Sequence, residues 1–66
     1  MGSLRLRARV RVDELRVDGV ARNPIATHRL PAGEHEVTVV PADGVARTRQ
    51  VVVEPDGRLQ LDVPWW

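Results

Sequence analysis

Glycine and proline recur along this chain at the spacing of short strands joined by turns, not at the spacing of helices. They stand at Gly19, Pro24, Pro31 with Gly33, Pro41 with Gly44, Pro55 with Gly57, and Pro64. The segments between them are rich in valine, which favours strands. The sequence therefore predicts an all-β fold, a small antiparallel β-sandwich of about six short strands.

The first segment alternates strictly between apolar and basic residues. Its apolar positions are Leu4, Leu6, Ala8, Val10 and Val12, and arginine occupies every position between them. A helix would distribute both sets around its circumference, whereas a strand places them on opposite faces. We therefore predict one strand over residues 4–12, with one buried and one solvated face, in an antiparallel sheet.

Turn signals and apolar runs place the later strands. Asp18-Gly19 has the composition of a two-residue hairpin turn, because it supplies positive φ angles at little cost. Further strands are predicted over residues 25–30, 35–40 and 45–54. In the last of these ranges the central residues are Val51, Val52 and Val53. The final strand is expected to carry one apolar face formed by Leu59, Leu61 and Val63.

The chain of 66 residues is one small domain at most. We assign the domain to residues 4–64, with residues 1–3 as a tag or a disordered start and residues 65–66 as a terminal tryptophan pair. No cysteine is present, which excludes disulfides and thiolate metal sites. No apolar run approaches the about 18–20 residues of a membrane span. The basic N-terminus also lacks the apolar region of a signal peptide.

Positive charge is concentrated at the N-terminus, although the net charge of the chain is only +1. The arginine stripe, defined as Arg5, Arg7, Arg9 and Arg11, lies on one face of the predicted first strand. Such a stripe can bind a polyanion such as nucleic acid or an anionic glycan, although no interleaved aromatic residue is available to stack on bases. The alternative is a solvated face whose arginines pair with acids on the neighbouring strand.

The residue types that carry catalysis are scarce. Ser3 is the only serine, and the chain has no cysteine, lysine or tyrosine. Asp13 and Glu14 are adjacent carboxylates at a strand break without a sign of a pocket. His28 and His35 are the only histidines, and a metal site would need further ligands. We therefore predict no enzyme activity, no metal and no cofactor, and we interpret His35 as a packing residue that hydrogen-bonds the backbone.

Trp65 and Trp66 hold all of the aromatic content. In one interpretation Trp65 ends the last strand and caps the core, while Trp66 is exposed. In the other, the pair anchors an interface, because exposed tryptophan is a common binding hot spot. The pair is therefore a candidate for contacts with a protein partner or with a second copy of the chain.

A spaced motif runs from the first hairpin into the central strand. Its residues are Leu15, Val17, Asp18, Gly19, Pro24, Leu30, Gly33, His35, Val37 and Val39. This pattern resembles the PEGA domain, a small bacterial all-β module, in which V-x-V-D-G, a proline-containing loop and L-x-x-G-x-H-x-V-x-V follow one another. The resemblance covers about residues 4–63. Two family elements differ: residues 12–15 replace Pro-x-Gly-Ala, and Val45 stands where an aromatic residue usually follows the second glycine.

The resemblance implies a non-catalytic accessory module of a larger bacterial protein, with the cell envelope as its expected location. Its expected work is protein–protein binding or structural spacing, with self-association through sheet edges or the tryptophan terminus. One alternative is binding of a polyanion or anionic glycan through the arginine stripe. Another alternative is a designed or excised scaffold without a function of its own.

Overall fold

The computed structural model describes all 66 residues and contains seven β-strands and no helix. The strands are β1 Gly2–Ala8, β2 Val12–Val17, β3 Val20–Arg22, β4 His28–Leu30, β5 Gly33–Pro41, β6 Arg47–Val53 and β7 Arg58–Val63. They form a three-stranded sheet with the order β4-β1-β7 and a four-stranded sheet with the order β3-β2-β5-β6. The predicted small all-β sandwich is confirmed.

The core lies between the two sheets and is entirely aliphatic. It comprises 11 buried side chains, namely Leu4, Leu6, Leu15, Val17, Leu30, Val37, Val39, Val51, Val53, Leu61 and Val63. Alternate positions of β1, β2, β5, β6 and β7 supply most of these residues, so the period of two in the sequence corresponds to inward and outward faces. Val51 and Val53 point into this core, whereas Val52, which lies between them, is exposed.

The Asp18-Gly19 turn has the predicted geometry. Asp18 has a φ of 52° and Gly19 a φ of 80°, and Val17 pairs with Val20 on either side of them. Positive φ at both central residues matches the twist of a two-residue hairpin. This turn joins β2 to the short edge strand β3.

The predicted single strand over residues 4–12 is wrong. β1 ends at Ala8, a bend follows at Arg9 and Val10, and β2 begins at Val12 in the other sheet. The bend is held from both sheets, because Arg9 N–H donates to Val63 of β7 and Arg11 C=O accepts from Ala42 after β5. Val10 is consequently 40% exposed and does not share a buried face with the leucines.

One of the five strand pairings is parallel, whereas an antiparallel sheet was predicted. β1 and β7 run in the same direction, with Leu4 opposite Leu59 and Ala8 opposite Val63. The other four pairings are antiparallel. A hairpin can join only antiparallel neighbours, but β1 and β7 are separated by the rest of the domain, so no turn dictates their relative direction.

The N-terminal residues belong to the sheet, in contrast to the expectation of a disordered start at residues 1–3. Gly2 is buried in β1, and a Cβ added there would lie 2.4 Å from Val53 Cγ1 and 2.5 Å from Glu54 O. Ser3 N–H donates to Gly57 O over 2.9 Å, and Met1 O accepts from Asp56 N–H. The start of the chain is thereby fastened to the β6–β7 turn.

The strand predicted over residues 25–30 is shorter than expected, because β4 covers only His28–Leu30. Asn23 holds the preceding residues in a turn, since its Oδ1 accepts the Ile25 N–H over 3.0 Å. Ile25 is 90% exposed and takes no part in the core. Asparagine side chains stabilise such turns in competition with strand pairing.

Candidate interaction surfaces

The two long edge strands of the sandwich follow one another in the chain. β6 has seven residues and ends the four-stranded sheet, and β7 has six and ends the three-stranded sheet. The opposite edges, β3 and β4, have three residues each. An edge strand leaves backbone N–H and C=O groups unpaired along one side. Most of the free strand backbone therefore lies on what we call the β6/β7 side, which consists of β6, β7 and the groove between them.

The groove of the β6/β7 side has a mixed lining, in which five of the nine residues are apolar. It encloses about 370 Å³, and its apolar lining is Val51, Val52, Leu59, Leu61 and Trp65. Leu59 and Trp65 are only partly buried against the core, and Val52 is 55% exposed. Apolar surface beside unpaired strand backbone is the combination that an added β-strand uses, because the backbone supplies hydrogen bonds and the side chains supply contact area.

The two tryptophans have different environments. Trp65 packs against the hydrophobic core and is partly buried, as the capping interpretation predicts, but it does not end the last strand, because β7 ends at Val63. Trp66 is 47% exposed, and its ring meets that of Trp65 edge to face, with 5.2 Å between centroids. The Arg47 guanidinium lies 4.0 Å from the Trp66 ring centroid, in a cation–π contact. The C-terminus is therefore fixed against β6.

Asp43 links this tryptophan pair to the β5–β6 loop. Its Oδ2 accepts a hydrogen bond from Arg47 Nη1 over 3.0 Å, and its Oδ1 accepts the Val45 N–H over 2.9 Å. The Val45 N–H and the Arg47 guanidinium both lower the pKa of the Asp43 carboxyl below 3.8. Arg47 is thus held from both sides, by a carboxylate and by an aromatic ring.

The arginine stripe does not exist as one surface, because β1 ends at Ala8. Arg5 and Arg7 are exposed and alternate with the buried residues Leu4 and Leu6 of β1, so both point outward. Arg9 lies in the bend, and Arg11 lies in the link to β2, where its Nε contacts Asp13 Oδ1 at 2.9 Å. Arg9 and Arg11 therefore do not share a surface with Arg5 and Arg7.

Two arginines that the sequence did not connect with the stripe replace them. Ser3 of β1 pairs with Arg29 of β4 on one side and with Arg58 of β7 on the other. Paired residues of neighbouring strands project from the same face, so both arginines join Arg5 on the outer face of the three-stranded sheet. We call Arg5, Arg7, Arg29 and Arg58 the basic face; none of them forms an ion pair.

His35 is held by two acceptors. Its Nδ1 contacts Asp18 Oδ2 at 2.5 Å, and its Nε2 contacts Pro31 O at 2.6 Å. A carboxylate and a carbonyl can only accept, so the two contacts favour the imidazolium form, in which both ring nitrogens donate. The predicted backbone hydrogen bond of His35 is confirmed, and both ring nitrogens contact acceptors within the protein.

The same contacts shift both pKa values. The hydrogen bond from His35, assisted by the Glu36 N–H, lowers the pKa of Asp18 below 3.8. The Asp18 carboxylate, assisted by the Pro31 carbonyl, raises the pKa of His35 above 6.5. Asp18 Oδ1 also accepts the Glu36 N–H over 2.9 Å, so one side chain ties the β2–β3 turn to β5 twice. The pair of Asp18 and His35 therefore has a structural role, because it connects the β2–β3 turn to β5.

The other residues of the spaced motif serve the fold. Val37 and Val39 are fully buried, and Gly33 has a φ of 123°, which a side chain would strain. Pro24 lies in the turn between β3 and β4, where His28 Nε2 also donates to Asn23 O over 2.7 Å. No three residues among histidine, aspartate and glutamate come together as a group that could hold a metal ion.

Comparison with known proteins found no family model, no curated protein and no solved structure that matches this chain. No helix in the structure has the length and apolar character needed to cross a membrane.

Proposed function

We propose that this chain is a non-catalytic interaction module, and that it binds an extended segment of a protein partner along the β6/β7 side. The proposal depends chiefly on one observation: two long edge strands lie on either side of a groove that combines apolar and polar side chains. A segment in this groove would complete a sheet with its backbone and cover apolar side chains with its own. This is the kind of accessory role that the resemblance to the PEGA domain implies.

The electrostatics of this side also suit a polypeptide ligand. Arg49 and Asp62 stand at the groove with the neutral amides of Gln50 and Gln60. One positive and one negative side chain impose no strong charge requirement on the ligand. The backbone and the apolar contacts would therefore supply most of the binding energy, and we expect weak salt dependence.

A second copy of the chain is one partner that the same edge can accept. An antiparallel pair of β6 strands centred on Gln50 would place Thr48 opposite Val52 of the other copy, with no like charges opposed on the outer face. Such an isologous contact would join two four-stranded sheets into one. Self-association is therefore part of the proposed function.

The test uses one variant on each side of the sandwich. Val52→Lys places a charge on β6, and Val20→Lys places the same charge on β3 as the control. The two valines are equally exposed, at 55%, and both lie on edge strands. Val52 projects from the outer face, whereas Val20 pairs with the buried Val17 and projects from the core-facing side, so thermal unfolding verifies that both variants are folded. Peptides selected on the wild-type domain from a random library would be measured against both variants.

We expect Val52→Lys to weaken the selected peptides at least about tenfold, since an edge charge opposes strand addition. Val20→Lys should bind them as the wild-type domain does. NMR shifts on peptide addition should concentrate in β6 and β7. Peptides that bind both variants equally, or that shift β3 and β4 instead, would contradict the proposed site.

A further inference from the structure

We propose that the basic face also binds an anionic polysaccharide, with Arg5, Arg29 and Arg58 arranged around Ser3. This site lies on the outer face of the three-stranded sheet and is separate from the β6/β7 groove. Ser3 stands in the middle of a row, with Arg29 on the neighbouring strand to one side and Arg58 on the strand to the other. Arg5 occupies the next outward position along β1.

Strand geometry sets the spacing of these charges. Adjacent strands lie about 4.8 Å apart, so the backbones that carry Arg29 and Arg58 are separated by roughly 10 Å. Arg5 follows Ser3 along β1 by about 6.6 Å, which is two residues at strand rise. Three long side chains with this separation can reach successive charged groups of a linear polymer.

The arginines of this face are free to bind. The ion pairs of the protein use Arg11, Arg16, Arg47 and His35, and none of them uses the basic face. Two carboxylates lie near this face. Asp62 stands opposite Arg7 and accepts a hydrogen bond from Gln60, and Asp56 lines a shallow concavity with Arg29 and Arg58, but neither forms an ion pair with these arginines. A guanidinium without a carboxylate partner keeps its donors for sulfate or carboxylate groups of a ligand.

The neutral groups between the arginines favour a sugar polymer. A shallow concavity of about 450 Å³ is lined by Ser3, Arg5, Thr27, Arg58, Leu59 and Gln60. Two hydroxyls and an amide can hydrogen-bond sugar hydroxyls, which inorganic polyphosphate lacks. No aromatic side chain lies in this lining, so the face offers no surface on which the bases of a single-stranded nucleic acid would stack.

The experiment measures binding of a heparin-derived hexasaccharide by NMR titration at low and moderate salt. The triple variant Arg5→Gln, Arg29→Gln, Arg58→Gln removes the proposed site. The control, Arg9→Gln, Arg11→Gln, Arg22→Gln, removes the same charge from exposed arginines outside it. Thermal unfolding of both variants verifies that they are folded. We expect at least about tenfold weaker binding for the first variant and a much smaller loss for the control.

A second pair of measurements identifies the ligand class. Ser3→Ala with Thr27→Ala should weaken the hexasaccharide severalfold and leave inorganic polyphosphate unaffected. Equal losses for the two arginine triples would overturn the site, because binding would then follow net charge alone. Tighter binding of polyphosphate or of an oligothymidylate at matched charge would overturn the assignment to a polysaccharide.

A second copy of the chain is the remaining occupant to exclude. The outer face of the four-stranded sheet carries Glu14, Glu34 and Glu36, with Arg16 paired to Glu14 at 2.9 Å. If this acidic surface covered the basic face, sedimentation of the free protein would show an oligomer that Arg5→Gln, Arg29→Gln, Arg58→Gln dissolves. That result would overturn the proposal. Oligomers that only Val52→Lys dissociates would form through the β6/β7 side, and the basic face would still be accessible to a ligand.

Discussion

The two sides of the sandwich differ in the length of the strands that end each sheet. On one side β3 and β4 are three residues long, and their connection is fastened by hydrogen bonds from Ile25, Ala26 and His28 to Asn23. On the other side β6 and β7 have seven and six residues and enclose a groove with five apolar residues in its lining. Short edges limit unwanted pairing. The contrast indicates that strand addition is restricted on one side and available on the other.

The largest expected effect on the free energy of unfolding comes from Gly2, which packs against β6 and the β6–β7 turn. Gly2→Ala would bring a Cβ to 2.4 Å from Val53 Cγ1 and 2.5 Å from Glu54 O, so β6 or its turn must move. We expect a loss of about 2–3 kcal/mol in the free energy of unfolding, as for other overpacked sites. Urea unfolding measures it.

Gly19→Ala is the matched change on the β3 side. A Cβ there meets nothing within 4 Å, but the φ of +80° strains an alanine. A cost of about 1 kcal/mol is expected from that strain alone. If Gly2→Ala cost no more than Gly19→Ala, the close packing of the N-terminus against β6 would be contradicted.

The glycine pair also shows how much of the fold could be predicted. The Asp18-Gly19 turn was predicted correctly, because the identity of two adjacent residues is enough to indicate positive φ angles. Gly2 resembled the start of a tag, and its packing depends on Val53, which is distant in sequence. The period of two identified the inward residues of β5 and β7 for the same local reason, whereas in β6 the run Val51 to Val53 did not show which of its residues face the core.

The first strand and the basic face could not be predicted in the same way. Alternation continues unbroken through the bend at Arg9 and Val10, so it cannot reveal where the chain changes sheets. Arg29 and Arg58 meet Ser3 only through the register of β1 with two other strands, one of them parallel. The register between two distant strands cannot be predicted from the residue pattern of either strand alone.

Trp65 forms part of the wall of the β6/β7 groove, and its removal has the next largest effect. Trp65→Ala should lower the free energy of unfolding by about 2 kcal/mol, less than a fully buried tryptophan because the ring is only partly buried. Trp66→Ala should cost about 0.5–1 kcal/mol, since it loses chiefly the contact with Arg47. Thermal unfolding of the two variants compares them, and equal costs would contradict the cap assigned to Trp65.

The contact between Asp18 and His35 stabilises the β2–β3 turn, and its contribution to the free energy of unfolding depends on pH. His35→Gln removes a ring that donates to Asp18 and Pro31, and a cost of about 1–2 kcal/mol is expected near pH 5.5. Because the pKa of folded His35 is raised, its contribution is complete below pH 6.5 and is lost as the pH rises through the raised value.

Asp18 acts in the opposite direction. Its pKa is lowered in the folded protein, so its contribution is present above pH 3.8 and is lost as the pH falls through the lowered value. The difference in unfolding free energy between the wild-type protein and His35→Gln should therefore be largest between these limits. Urea titrations from about pH 3 to 9 measure that difference. A difference independent of pH would show that His35 acts by packing alone.

The smallest expected effect on stability gives the most direct comparison of the two sides. Val52→Lys places its ammonium group opposite Glu34 of β5 on the outer face, a favourable cross-strand pair. Val20→Lys changes an equally exposed valine on the core-facing side, opposite Val17, where a lysine can extend its ammonium group to solvent. Both should alter the free energy of unfolding by no more than about 0.5 kcal/mol. Sedimentation velocity across a concentration range should nevertheless separate them, because only Val52→Lys charges the edge that is long enough to pair. Equal self-association of the two variants would mean that strand length does not decide where this domain makes contacts.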